Sequence, residues 1–329
     1  MKRIVICSLL ACCAAAGLAA ANLGAPENRV LWREPRPMSD AAWVWGPGGR
    51  EHAPAPPFRF VKENMGGTNP KVNVRDARGA LWIVKFGGEV HTEVFAARLL
   101  EATGFDAEPA YFVERGIIAG AHGLKRAKPY IAKDGRFRNA RFKLRDENGQ
   151  SFSQYKWSWV DNPFLGSHEL SALRILAMLA SNWDTKDARD GEGSNTAVFQ
   201  HPSVGGSFYW YAVSDWGSTF GSWGGFMKRS RWDAAAYEKQ TKDFVKGVVD
   251  GTVVWGFQGK HGRDVSEGIT VEDVRWMLPY LSRITRDQMI AGFVASGARP
   301  ETAARFAHAL RNRIAQLERI AGASGSPTE

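Results

Sequence analysis

The sequence predicts an α+β fold in two lobes, a small β-rich one followed by a larger, mostly helical one, and three observations carry the prediction. Short apolar and polar alternations, bounded by Gly, Asn and Pro, open the body of the chain at Phe58. Apolar residues at helical spacing take over after Ser167. The chain has 329 residues, 44% of them apolar and 23% charged, which suffices for a core in each lobe and excludes a disordered or fibrous chain.

Residues 1–21 read as an export signal: a basic start at Met1-Lys2-Arg3, an apolar stretch from Ile4 to Leu18, and small residues at Ala19-Ala20-Ala21. The stretch is too short and Ala-rich to favour a membrane span. A competing cut before Cys12 would leave a lipid-anchored chain, and a retained anchor is the third outcome. An exported protein is expected on any of the three, periplasmic or extracellular. Cys7, Cys12 and Cys13 all fall in this segment, so the processed chain is expected to have no disulfide and no thiol nucleophile. Residues 22–57 carry seven Pro and several Gly and read as an extended arm.

Residues 58–118 form the small lobe. Phe58–Val61, Val72–Val74 and Leu81–Lys85 read as antiparallel strands, with a turn from Met65 to Pro70. A helix from Glu93 to Ala102 puts Phe95, Ala96, Leu99 and Leu100 on one face and stops at Gly104. Tyr111–Val113 and Gly116–Ile118 read as two more strands. Residues 119–166 read as a basic insertion or linker. From Lys125 to Arg145 nine cations face Asp134 as the one opposing charge, so the stretch is either a solvated insertion or a surface for an anionic partner. The whole chain, with 43 Lys and Arg against 34 Asp and Glu, leans the same way without requiring nucleic acid. Tyr155, Trp157 and Trp159 read as packing residues rather than a platform for bases, so no nucleic-acid partner is expected.

Residues 167–321 form the large lobe. Ser167 is placed to cap a helix from Glu169 to Asn182 that is apolar nearly all round, which predicts burial. Thr196–Phe199 and Phe208–Val213 read as a hairpin. Beyond Trp232 the chain reads as mostly helical, with capping boxes at Thr270 and Thr285 and an apolar stripe of Phe306, Leu310, Ile314 and Leu317. Residues 322–329 read as a flexible tail, and no run between Phe58 and Ala321 has membrane length.

Several chemistries fail on spacing. His168-Glu169 lacks a second His, having Ala172 at the fifth position, so His168 reads as a capping-turn residue; there is no Gly-x-Ser-x-Gly elbow, and the seven His show no metal-ligand pattern. Another set stands out by its order. Lys85 ends a strand, Glu93 opens the next helix with Glu89 four residues before it, and Asn182-Trp183-Asp184-Thr185-Lys186-Asp187 follows the buried helix. Asn195 lies beyond, and Asp215-Trp216-Gly217 follows the hairpin. Together, over residues 58 to 320, these resemble the signature set of the protein kinase-like superfamily in its divergent bacterial and secreted branches.

The resemblance implies a two-lobed kinase-like fold and an ATP-dependent phosphotransferase using Mg²⁺, or Mn²⁺. Phosphoryl transfer needs a cation at the phosphates, oxygen ligands for the metal, and a carboxylate to receive the acceptor's proton. By resemblance Lys85 holds the phosphates, Glu93 or Glu89 orients it, Asp184 is the base, Lys186 neutralises the migrating group, and Asp215 with Asn195 binds the metal. The turn Gly66-Gly67-Thr68 would offer backbone N–H groups to phosphate. Trp216 is expected to pack rather than to contact a cofactor. The departures point to a remote relative: eight residues rather than two separate Lys186 from Asn195, Asn182 stands at the usual His, and no Ala-Pro-Glu element follows. The acceptor is left open among protein, sugar and lipid head group. Because ATP is scarce outside the bacterial cytoplasm, the alternative is a catalytically inactive, pseudokinase-like binding module in the cell envelope.

Overall fold

A computed structural model describes residues 28–145, 155–203, 206–224 and 229–323. The export signal, the three cysteines and most of the expected tail lie outside the described residues. The first elements sit where an extended arm was expected: strand β1 (Arg29–Val30) and helix α1 (Asp40–Trp45), the latter capped by the Ser39 side chain accepting from Ala42 N–H. Leu31 and Trp43 are buried here, so this segment is part of the core. Its Pro residues flank α1 rather than interrupt it.

Strands β2 (Phe58–Asn64), β3 (Lys71–Arg75) and β4 (Leu81–Lys85) form an antiparallel set, helix α2 (Thr92–Thr103) follows, and β5 (Ala110–Ala119) and β6 (Arg136–Leu144) complete a closed barrel in the order β2-β3-β4-β6-β5. Parallel pairing of Phe58 with Ile118 and Arg59 with Ala119 closes it. Two expectations are corrected. β5 is one strand rather than two, and the supposed basic insertion supplies β6, which lies between β4 and β5. Alternation in β6 is interrupted at Asn139, whose φ is 52°, so Phe137 and Phe142 are both buried although an odd number of positions apart. Val72, Val74, Trp82, Val84, Tyr111 and Phe142 fill the barrel.

The large lobe starts with α3 (His168–Leu179), capped by Ser167 as expected. His168, at its first position, lies 2.8 Å from the Asp273 carboxylate. β7 (Thr196–Ser203) and β8 (Gly206–Val213) form the expected hairpin, and β1 adds to β8 in parallel. Helix α4 (Ala234–Thr241) precedes a second hairpin, β9 (Val245–Val249) and β10 (Thr252–Trp255), in a region read as helical. Helices α5 (Gly262–Ser266), α6 (Val271–Ser282), α7 (Arg286–Ala295) and α8 (Pro300–Ala323) follow. Both capping boxes form, and Phe306, Leu310, Ile314 and Leu317 are fully buried. Trp157 and Trp159 are buried in the same core. No described helix is long and apolar enough to cross a membrane.

Helix α2 belongs to the small lobe in sequence and to the large lobe's core in packing. Phe95 stacks on Phe293 of α7, with ring centroids 3.5 Å apart, and meets Phe220 edge-on. Removing so buried a ring costs about 3–5 kcal/mol. Arg98, buried on the same helix, donates to the Trp43 and Val44 carbonyls at 2.7 and 2.6 Å and so satisfies the C-terminal end of α1. Burial lowers its pKa to about 10. Glu93, at the start of α2 and a partner of Lys85, is thereby fixed to the large lobe.

Candidate active site

The β4 strand ends at Lys85, and Gly87, at φ 96°, turns the chain back into α2. The turn brings Glu89 and Glu93 to the same ammonium group. Lys85 Nζ donates to Glu89 Oε2 at 3.1 Å and to Glu93 Oε1, so both candidate partners are used. Each carboxylate keeps its second oxygen for an arginine: Arg141 donates to Glu93 and Arg231 to Glu89. Burial alone would raise the Glu93 pKa, but Arg141 and then Lys85 overcome it and hold the group at about 2. For Lys85 burial acts downward, but Glu93, Asp215 and Glu89 together outweigh it, and the net shift is upward.

Arg141 comes from the stretch expected as a solvated insertion or anionic surface. That stretch divides instead. Arg141 is buried in the cluster, Lys143 pairs with Glu108, and Arg126 donates to the Met65, Gly67 and Thr68 carbonyls of the glycine turn, while Arg136 stays exposed beside Asp134.

Asp215 closes the group from the large lobe. One oxygen from each of Glu89, Glu93 and Asp215 lies within 4.8 Å of the others. Burial raises the Asp215 pKa, Lys85 opposes the rise, and Glu93 and Glu89 add to it. Asp215 Oδ1 accepts the Gly217 N–H at 2.7 Å. A Cβ on Gly217 would stand 2.6 Å from Glu89 Cδ, so the glycine of Asp-Trp-Gly makes room for this carboxylate. Trp216 packs in the core, its Nε1 donating to the Val213 carbonyl at 2.9 Å.

The loop after α3 turns at Ser181, whose φ is 56°. Asn182 is fully buried and donates to the Asp215 carbonyl at 3.2 Å, joining the two acidic motifs through their backbones. Asp184 is partly exposed, with Lys186 Nζ 3.3 Å from its Oδ2. The eight intervening residues fold back through a 3₁₀ turn at Ala188–Gly193 and return Asn195 to the loop. There Asn195 Nδ2 donates to the Asp184 carbonyl at 2.6 Å, and its N–H to the Lys186 carbonyl at 3.1 Å.

Glu93, Arg141 and Lys143 line a small cavity between the lobes together with Phe199, Ala212 and Trp216, about 30 Å³ in volume and so with room for a water or two. The carboxylates of Asp215, Glu89 and Glu93 fit a hard divalent cation such as Mg²⁺ or Mn²⁺, and the crowding that raises the Asp215 pKa is what a cation there would relieve. Arg231 carried no signal of a role in the sequence. Arg231 lies 142 positions from its partner.

A second acidic group lies further along the same loop. Asp187, Asp190 and His261 converge, with His261 Nε2 2.7 Å from Asp190 Oδ2. Asp187 accepts from Ser158 Oγ and Trp159 N–H, both at 2.9 Å, and from Arg189. Against the effect of burial, these bonds hold Asp187 well below the usual carboxylate range.

No family model matches this chain, and no curated protein does. Among solved structures it is similar to Golgi casein kinase, with 10% identity over 83% of this chain and 74% of that one at a TM-score of 0.41. It is similar also to Golgi casein kinase with Mn and ADP bound, with 12% identity over 82% and 72% at the same TM-score. Both are distant likenesses of shape.

Proposed function

We propose that the chain is an exported phosphotransferase of the atypical kinase type, acting with ATP and Mg²⁺ or Mn²⁺ on a protein, sugar or lipid head group. The observation that carries this reading is the division of labour among carboxylates. Asp215 sits in the Lys85 cluster with a raised pKa, while Asp184 stays partly exposed on the loop after α3, beside Lys186. A divalent cation held by these residues would supply positive charge against the charge developing on the phosphates. Asp215 would hold it with Glu89 and Glu93 beside it, and Asn195 would add its side-chain oxygen. Asp184 would take the acceptor's proton, and Lys186 would stabilise charge on the transferring group.

The test is thermal melting with ATP, alone and with Mg²⁺ or Mn²⁺. Binding at a hundredfold over Kd stabilises by about 2.7 kcal/mol. No shift at millimolar ATP with either metal would sink the reading. Binding without phosphate transfer to any acceptor or to water would assign the inactive binding module instead. Export is tested by the intact mass of protein taken from the envelope: a mass that keeps Met1 rules out cleavage, and a diacylated species starting at Cys12 assigns the lipid-anchored alternative.

A further inference from the structure

We infer that Lys71, beside Lys85, is a cation that grips the terminal phosphates of the nucleotide, together with backbone N–H groups of the turn before it. The inference rests on the nucleotide reading and adds a residue to its anion-binding role.

Lys71 opens β3 and is the direct cross-strand partner of Lys85, so the two side chains leave the same face of the sheet as neighbours. Their electrostatic situations differ. Lys85 is committed to two carboxylates, Glu89 and Glu93. Arg141 and Arg231 are committed to the same two. Among the described residues Lys71 has no carboxylate within 4.0 Å. It is the cation in this group whose charge is not already matched at contact distance.

The turn then places it. Asn64 pairs with Lys71 at the base of the β2–β3 hairpin, and the Lys71 ammonium folds beneath the loop, 3.1 Å from where a Cβ on Gly67 would stand. Arg126 takes the Gly67 and Thr68 carbonyls. In a trans peptide the N–H points opposite to the C=O. The Thr68 and Asn69 N–H groups therefore point away from Arg126, as donors for an anion. Partial burial, then the like charges of Lys85 and Arg141, lower the Lys71 pKa, and a bound anion would relieve that repulsion.

The test measures binding of MgATP and, separately, of inorganic tripolyphosphate to the full chain by calorimetry, for wild type, Lys71→Met, Lys71→Arg and the exposed control Lys62→Met. Losing one charge-assisted contact weakens binding roughly 10- to 100-fold. Lys71→Met is expected to lose this much for both ligands at unchanged melting temperature, Lys71→Arg to recover most of it, and Lys62→Met to match wild type. If wild type binds MgATP and Lys71→Met binds it equally, the inference fails and the nucleotide reading stands. If tripolyphosphate binding depends on Lys71 but ATP binds no better than tripolyphosphate, the inference stands and the nucleotide reading fails. Wild type that binds neither ligand overturns both.

Discussion

The group at Asp215 and the group at Asp187 are both acidic side chains ringed by cations, yet the fold treats their charges in opposite ways. Around Asp187 the hydrogen-bond donors prevail over burial and the nearby Asp190: a hydroxyl, a backbone N–H and a guanidinium donate to it, and both Asp187 and Asp190 are held below their ordinary pKa. Around Asp215 the neighbours split the carboxylates apart, with Glu93 pulled down to about 2 and Asp215 pushed up. Satisfied charge of the first kind ties a loop together. Charge of the second kind is opposed by burial and then by two like-charged carboxylates, against the pull of Lys85, and a cation held there would relieve that opposition. The lesson is that counting acids locates both groups, and only the direction of their shifts separates them.

Breaking the first group should have the largest effect. Asp187→Ala leaves Arg189 with Asp264 as its remaining carboxylate partner and leaves the Ser158 hydroxyl and Trp159 N–H without their acceptor. The expected loss of stability is about 3–5 kcal/mol, the scale for breaking a buried pair. A change under about 1 kcal/mol in denaturant unfolding would mean that Asp187 is not the tie described here.

Asp215→Asn should do the reverse. Because the fold disfavours the charged form, removing the charge should leave the ligand-free protein as stable or up to about 1 kcal/mol more stable. Its response to Mg²⁺ with ATP should vanish. A large drop in melting temperature would put Asp215 in the same class as Asp187.

Gly217→Ala sharpens the comparison further, because the atoms nearest the new methyl all belong to the Glu89 side chain, at 2.6 to 2.8 Å. The expected outcome is weaker metal-dependent nucleotide binding, by roughly tenfold, with stability changed by less than about 1 kcal/mol. Equal losses in binding and stability would show that the cluster is structural.

The pH dependence is the smallest effect and its sign is specific. Asp187, Asp190 and Glu93 have depressed pKa values in the fold, so their stabilisation is present above their unfolded values near 4 and is lost as pH falls below them. Asp215 runs the other way, costing stability as pH rises through its unfolded value toward its raised folded one. The melting advantage of Asp215→Asn over wild type should therefore shrink as pH is lowered from 7 toward 4. A gap that widens on acidification contradicts the assignment.

What the sequence made legible was local. Helix α3, the β7–β8 hairpin and the two capping boxes follow from spacing within a dozen residues, and Lys85, Asp184 and Asp215 were visible because each ends or follows such an element. β6 was hidden because the irregularity at Asn139 breaks its alternation and its outward side chains are cationic. Helix α1 was hidden by the density of Pro around it. Arg231 could not be read, since nothing near it in the chain reports its contact with Glu89. The choice between Glu89 and Glu93 dissolved because one Lys serves both. Lys71 looked like any polar strand residue until its register beside Lys85 was known.

Helix α1 also bears on how the molecule comes to exist. Gln288, near the start of α7, donates from Nε2 to Asp40 Oδ1 at 3.1 Å, a bond between residues 248 positions apart in the chain. A ribosome releases Trp43 early, and the surface that buries it appears only after most of the remaining chain has been made. Closing so long a loop is an entropic cost met late. The segment made among the first is thus expected to dock among the last, and until it does, an indole destined for the interior faces water.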